Sequence, residues 1–135
     1  MHRFYMAASS LTGDVIGAAV EAHRVLGPGL LESIYEKCLL RELELRGIAA
    51  INQEKIRIEY KGLTFEETLR FDVLVNSCLL IEVKAVENVL AVHKAVLMSY
   101  MKLLDMPLGL LINFHEAKLT DGVSRLILPG ANKPD

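Results

Sequence analysis

The stretch Cys78-Leu79-Leu80-Ile81-Glu82-Val83-Lys84-Ala85 constrains the fold more than any other part of the chain. A run this short and this apolar suits a strand covered on both faces, the central kind found in sheets with helices on either side. Its two charges are two residues apart, so they share one face of that strand. Placing a carboxylate and an ammonium there carries a desolvation cost that partners or a metal must offset. Glu-x-Lys is no signal by itself, because Glu59-Tyr60-Lys61 and Glu116-Ala117-Lys118 repeat it. What sets the middle copy apart is its apolar setting.

The periodicity on either side predicts what covers the strand. Val15, Ala19, Ala22 and Leu26 recur at helical spacing over Thr12 to Leu26, and Gly27-Pro28-Gly29 ends that helix. Leu31, Tyr35, Leu39 and Leu43 predict a second helix over about 31–46, with Glu32 in its first turn and Gly47 as its stop. Ile56, Ile58 and Tyr60 then alternate with charged residues, which predicts a strand, a Lys61-Gly62 turn and a longer strand from about Phe65 to Val75. Helical spacing returns from Val89 to Leu104, with Val89, Val92, Val96, Tyr100 and Leu103 as the apolar side, until Pro107 breaks it. Leu108 to Phe114 reads as a buried strand and Ser124 to Leu128 as a short one, while residues 1–10 and 129–135 are expected to fray. The sum is one α/β domain over 1–135, a mixed sheet flanked by helices.

Composition narrows the function. Fifteen Lys and Arg against 17 Asp and Glu leave a net charge of -2, which excludes a surface built throughout to hold nucleic acid and makes any contact with it weak or local. A hydrophobic share of 52% exceeds what one small core needs and points to a homodimer. No apolar stretch approaches the roughly 20 residues of a membrane span, so no membrane role is expected. Cys38 and Cys78 have neither disulfide nor zinc spacing, which fits a reducing cytoplasm.

Pairing across the hairpin decides which charges meet. A loop centred on Ser77 puts Asp72 opposite Glu82, Arg70 opposite Lys84 and Leu74 opposite Leu80 on one face, with Phe71 opposite Val83 and Val73 opposite Ile81 on the other. A two-residue Asn76-Ser77 turn would set Asp72 and Glu82 on opposite faces. Two carboxylates at cross-strand distance repel unless a cation lies between them, and oxygen-only ligation is what magnesium or manganese takes. Lys84, on the same face, is placed to orient or deprotonate an attacking water. From these residues alone a solvated ladder of ion pairs explains the four charges as well, and Glu32 is more simply read as a first-turn acid favoured by the helix dipole.

Gly29-Leu30-Leu31-Glu32-Ser33-Ile34-Tyr35, Arg70-Phe71-Asp72 and Glu82-Val83-Lys84 together resemble the GxxExxY proteins, a branch of the PD-(D/E)XK nuclease superfamily. The likeness runs from about Thr12 to Leu128 and takes in His23, His93, Ser99-Tyr100 and the strand Gly109 to Phe114. It implies a restriction-endonuclease-like αβββαβ core in which Glu32, Asp72 and Glu82 hold one or two Mg2+ (or Mn2+) ions. It also implies that Lys84 assists hydrolysis of a phosphodiester in DNA or RNA, with Arg70 neutralising a phosphate and Tyr35, Tyr100 and His93 supporting the site. Two positions depart from the pattern: Phe71 stands where the name-giving proline would be, and Val96 where GxxExxY relatives usually have glutamine. Val96 and the small net charge keep a rival reading open, a nuclease-fold module that binds or assembles without catalysis.

Overall fold

A computed structural model describes residues 1–135. Two helices come first, α1 (Tyr5–Leu26) and α2 (Glu32–Leu45), followed by three strands, β1 (Ala50–Tyr60), β2 (Leu63–Val75) and β3 (Leu79–Lys84). Helix α3 (Ala91–Leu104) then leads to β4 (Leu108–Asn113), a 3-10 turn over Leu119–Gly122 and β5 (Val123–Ile127). The strands lie in the order β1-β2-β3-β4-β5, with β3 and β4 parallel and every other pair antiparallel. The apolar run from Cys78 therefore supplies the middle strand, as its composition predicts.

Each face of β3 is covered by a different layer. On one, Val15, Ala19 and Ala22 of α1 and Tyr35, Leu39 and Leu43 of α2 pack on Val73, Val75, Leu79, Ile81, Leu110 and Ile112. On the other, Leu97 and Met101 of α3 pack on Leu74, Leu80 and Leu111. Gly109 is what lets α3 come so close, since a Cβ there would stand 2.7 Å from the Met101 sulfur. No helix is long and apolar enough to cross a membrane.

In the helices and at the termini the structure departs from the sequence expectations in three places. α1 starts at Tyr5 rather than Thr12, and Ala8 is already fully buried. The polar residues that obscure this turn are accommodated because the Ser10 and Thr12 hydroxyls donate to the carbonyls of Ala7 and Ser9, both at 2.8 Å. Neither terminus hangs loose: the His2 N–H donates to the Ala131 carbonyl at 2.9 Å, and Ala131 is buried. In α3 the buried stripe is Leu97 and Met101, whereas Val92, Val96 and Leu103 of the predicted apolar side are exposed. This helix is apolar almost all round, so spacing alone offers two stripes, and the sheet takes the other one.

The hairpin loop has the predicted odd length. Val75 pairs with Leu79 across Asn76-Ser77-Cys78, and Asn76 and Ser77 both take left-handed backbone, with φ of 48° and 57°. The predicted register holds for Val75/Leu79, Leu74/Leu80 and Val73/Ile81, and there the ladder ends. Asp72/Glu82, Phe71/Val83 and Arg70/Lys84 are not ladder pairs. The cause lies on the other side of β2, where the pairing with β1 slips between Ile51 and Gln53. Such a bulge bends the strand and breaks its alternation. Phe71 accordingly joins Leu74 and Leu80 on the α3 side instead of following Val73.

Candidate active site

Where β2 leaves β3, the edge of β3 loses its backbone partner. Amides two residues apart on a strand point to the same side. The Lys84 carbonyl faces β4, accepting the Phe114 N–H at 2.8 Å, so the N–H groups of Val83 and Ala85 face the edge that β2 has vacated. Each is met by a carboxylate. The Val83 N–H donates to Asp72 Oδ2 at 2.6 Å, and the Ala85 N–H donates to Glu32 Oε1 at 3.3 Å. Two acids 40 residues apart in the chain are thereby hung side by side on the main chain of one strand.

The presence of Glu32 at that edge follows from the turn before α2. Gly27 and Gly29 have φ of 73° and 96°, a region that glycine enters without strain. Tyr35, fully buried and stacked on Phe114 with ring centres 4.5 Å apart, folds its hydroxyl back onto this turn. It donates to the Gly27 carbonyl at 2.6 Å and accepts the Leu30 N–H at 3.0 Å. The Gly29…Glu32…Tyr35 spacing thus has a mechanical meaning: a buried phenol one turn into the helix fixes the bend that aims the first-turn acid.

Glu82 and Lys84 stand on the strand itself, both largely covered, with Lys84 Nζ 3.6 Å from Glu82 Oε1. Burial, followed by the charge of Asp72, pushes the Glu82 carboxyl up to about 7, and the nearby ammonium does not bring it back. Asp72 is also raised, chiefly by burial and then by the Glu32 charge, against the pull of the Val83 N–H and Lys84. Three carboxyl groups, Glu32, Asp72 and Glu82, thus stand beside one lysine.

Two further residues belong to this arrangement and were not picked out from the sequence. Glu36, one turn after Glu32 on α2, lies against Asp72, and its carboxyl is raised by burial and by the Asp72 charge. Its signal was a like-charged i, i+4 pair. Asn113 is 1% exposed in an otherwise apolar β4. Its amide donates to the Val86 carbonyl at 2.8 Å and accepts the Val86 N–H at 3.1 Å, clamping the segment that carries the Ala85 amide. A lone buried amide in a core strand was the signal for it.

Other expected site residues stand further out. Arg70 is exposed at the root of the β1-β2 hairpin, paired with Gln53 and in no ion pair. His93 caps α3, its Nδ1 accepting the Leu90 N–H at 3.0 Å. Tyr100 and Val96 line a shallow groove on α3 with Leu69, Ser99 and Leu103.

All donors at the site are carboxylate oxygens, the chemistry a hard dication requires. Asp72 and Glu32 each spend one oxygen on the strand edge, and a dication would offset both the burial that chiefly lifts Glu82 and the repulsion from Asp72 that adds to it. No three of the acids are drawn into a finished ligand cluster. The donor set fits such an ion; its closing geometry is not preformed.

Searches of curated proteins and of solved structures each give no match. A family model described as the PD-(D/E)XK nuclease superfamily matches residues 9–126, a span that contains every acid at the β3 edge as well as Lys84. With a mixed sheet between helical layers and that match over most of its length, the chain belongs to the PD-(D/E)XK nuclease superfamily and has the restriction-endonuclease-like fold.

Proposed function

We propose that this chain is a divalent-metal-dependent nuclease of the GxxExxY branch, acting on phosphodiesters of DNA or RNA. The observation that carries the reading is the β3 edge, where Asp72 and Glu32 each take one of two alternate amides beside the largely covered Glu82 and Lys84. Glu32, Asp72 and Glu82 are the residues that would hold Mg2+ or Mn2+. When bound, such an ion supplies Lewis-acid stabilisation of the phosphate charge and a more acidic water. Lys84, its ammonium 3.6 Å from the Glu82 carboxylate, orients the attacking water, and the unpaired Arg70 meets a phosphate oxygen. With a net charge of -2, the grip on the strand is local rather than general. The free thiols Cys38 and Cys78 agree with a reducing, cytoplasmic setting.

The test is cleavage of single- and double-stranded DNA and RNA with magnesium or manganese, comparing wild type with Lys84→Ala and Asp72→Ala. The expected result is metal-dependent cleavage by wild type, lowered about 10²-fold or more in each variant. Cleavage by wild type that both variants retain would remove these residues from the chemistry. Val96 favours a second reading: the position usually filled by glutamine in the resembled family carries an apolar side chain on an exposed groove. A wild type that cleaves none of the substrates with either metal supports that non-catalytic module.

A further inference from the structure

The β1-β2 hairpin reaches well beyond the body of the sheet. β3 pairs only with Val73 to Val75, whereas β1 and β2 continue to pair with each other from Gln53/Arg70 out to Tyr60/Leu63. Over that length, about 25 Å at 3.4 Å per residue, the ribbon has no neighbouring strand. Its two faces differ in chemistry. Cross-strand partners share a face, so Ile56, Ile58 and Tyr60 lie with Leu63, Phe65 and Leu69 on one side, interrupted only by Glu54 and Glu67. The opposite side carries Lys55, Arg57, Glu59, Glu66 and Arg70 among neutral polar groups. At the tip of the apolar side Tyr60, Leu63 and Phe65 are 62%, 58% and 39% exposed. A two-stranded ribbon is marginal in water, and an uncovered apolar row makes it more so.

A second uncovered apolar row lies on α3. Val92, Val96, Ser99 and Leu103 follow the helix at i, i+4, i+7 and i+11 on its outer side. Val92, Val96 and Leu103 are 57%, 41% and 49% exposed. Leu69 at the ribbon root joins this row in lining the groove with Val96, Tyr100 and Leu103, so both rows open on the same side of the sheet. Their charges are opposite. The apolar face of the ribbon holds two acids and no cation, while α3 has no acid anywhere, and its Lys102 flanks the outer row.

We infer that this face closes on a second copy of the chain, the apolar side of one ribbon lying on the α3 row of the partner and the reverse contact completing a two-fold dimer. One chain carries both complementary halves, which is what a closed isologous pair requires. A ribbon of about 25 Å and a 14-residue helix of about 21 Å, each used twice, give a contact on the scale of the roughly 800 Å² per partner of a standard interface. Nucleic acid is the poorer occupant, because Glu54 and Glu67 would face its phosphates.

The test is the mass of the full chain in solution by sedimentation equilibrium between about 1 and 100 μM, with Glu54→Lys/Glu67→Lys, with Lys102→Glu, and with all three changes in one chain. All three positions are exposed, and the wild-type measurement needs no variant at all. Wild type is expected to be a dimer, each charge reversal to weaken it about tenfold or more, and the combined chain to recover most of the loss. The inference is overturned by a wild type that stays monomeric over this range, by a dimer indifferent to the reversals, or by a combined chain that fails to recover. A monomer whose ribbon becomes protected from proteolysis only when nucleic acid is added overturns it too, in favour of that partner. None of these outcomes depends on cleavage activity, so they are independent of the proposed function.

Discussion

The two faces of the sheet are built unequally. The α1/α2 face is a continuous core in which Val15, Ala18, Ala19, Tyr35, Leu39 and Leu43 have no exposure at all. The α3 face is a smaller cluster held by Leu97 and Met101, beside a helix flank and a ribbon that remain apolar and open. Stability resides on the first face, while the second keeps surface in reserve. The acids gather where the two meet, Glu32 arriving from the thick side and Glu82 with Lys84 standing on the middle strand.

Substitutions can break or sharpen that contrast. The largest effect is expected from Leu39→Ala, which opens a cavity between two helices and the sheet that has little room to collapse; the loss is about 3–5 kcal/mol by denaturant unfolding. Leu97→Ala on the α3 face is expected to cost less, about 2–3 kcal/mol, because that single helix can settle toward the sheet. Equal losses at the two positions would erase the distinction.

The next effect depends on pH and lies at the junction. An acid whose pKa folding raises keeps its proton in the fold after the unfolded chain has lost it. Between the ordinary 4.5 and about 7 for Glu82, stability therefore falls as pH rises, and the loss is complete above that window. In the metal-free protein the fall should be on the order of 2 kcal/mol between pH 5 and pH 8, and Glu82→Gln should flatten it. A wild type whose stability rises across this range would contradict the burial assigned to Glu82.

Tyr35→Phe removes one hydroxyl from the thick face and leaves the Leu30 N–H and the Gly27 carbonyl without that partner, which should cost about 1–2 kcal/mol. Val96→Ser, on the open flank of the thin face, should change the stability of the isolated chain by no more than about 0.5 kcal/mol. A larger loss measured on monomer would mean that this flank is covered from within the chain.

The sequence made the middle of this molecule legible and its margins much less so. The run from Cys78 to Ala85 identified the central strand because only double cover tolerates such composition, and the parity of the Asn76-Ser77-Cys78 loop placed Asp72 near β3. The bulge that releases β2 from β3 has no glycine or proline to mark it, so strand alternation predicts a continuous ladder and puts Phe71 on the face opposite to the one it occupies. The spacing in α3 predicts the wrong stripe because the period of an almost uniformly apolar helix carries little information. For Glu32 the local pattern offered only a first-turn acid. The resemblance made it a site residue, and its 3.3 Å contact with the Ala85 amide supplies the physical reason.

That contact and its neighbour at Val83 have a consequence for how the site could be lost. The hooks that carry Asp72 and Glu32 are peptide N–H groups, and exchanging the side chain at 83 or 85 leaves them in place. Only proline removes such a donor. The tethering of the two acids is therefore indifferent to most sequence drift along this strand, and the vulnerable points are the acids themselves and the clamp formed by Asn113.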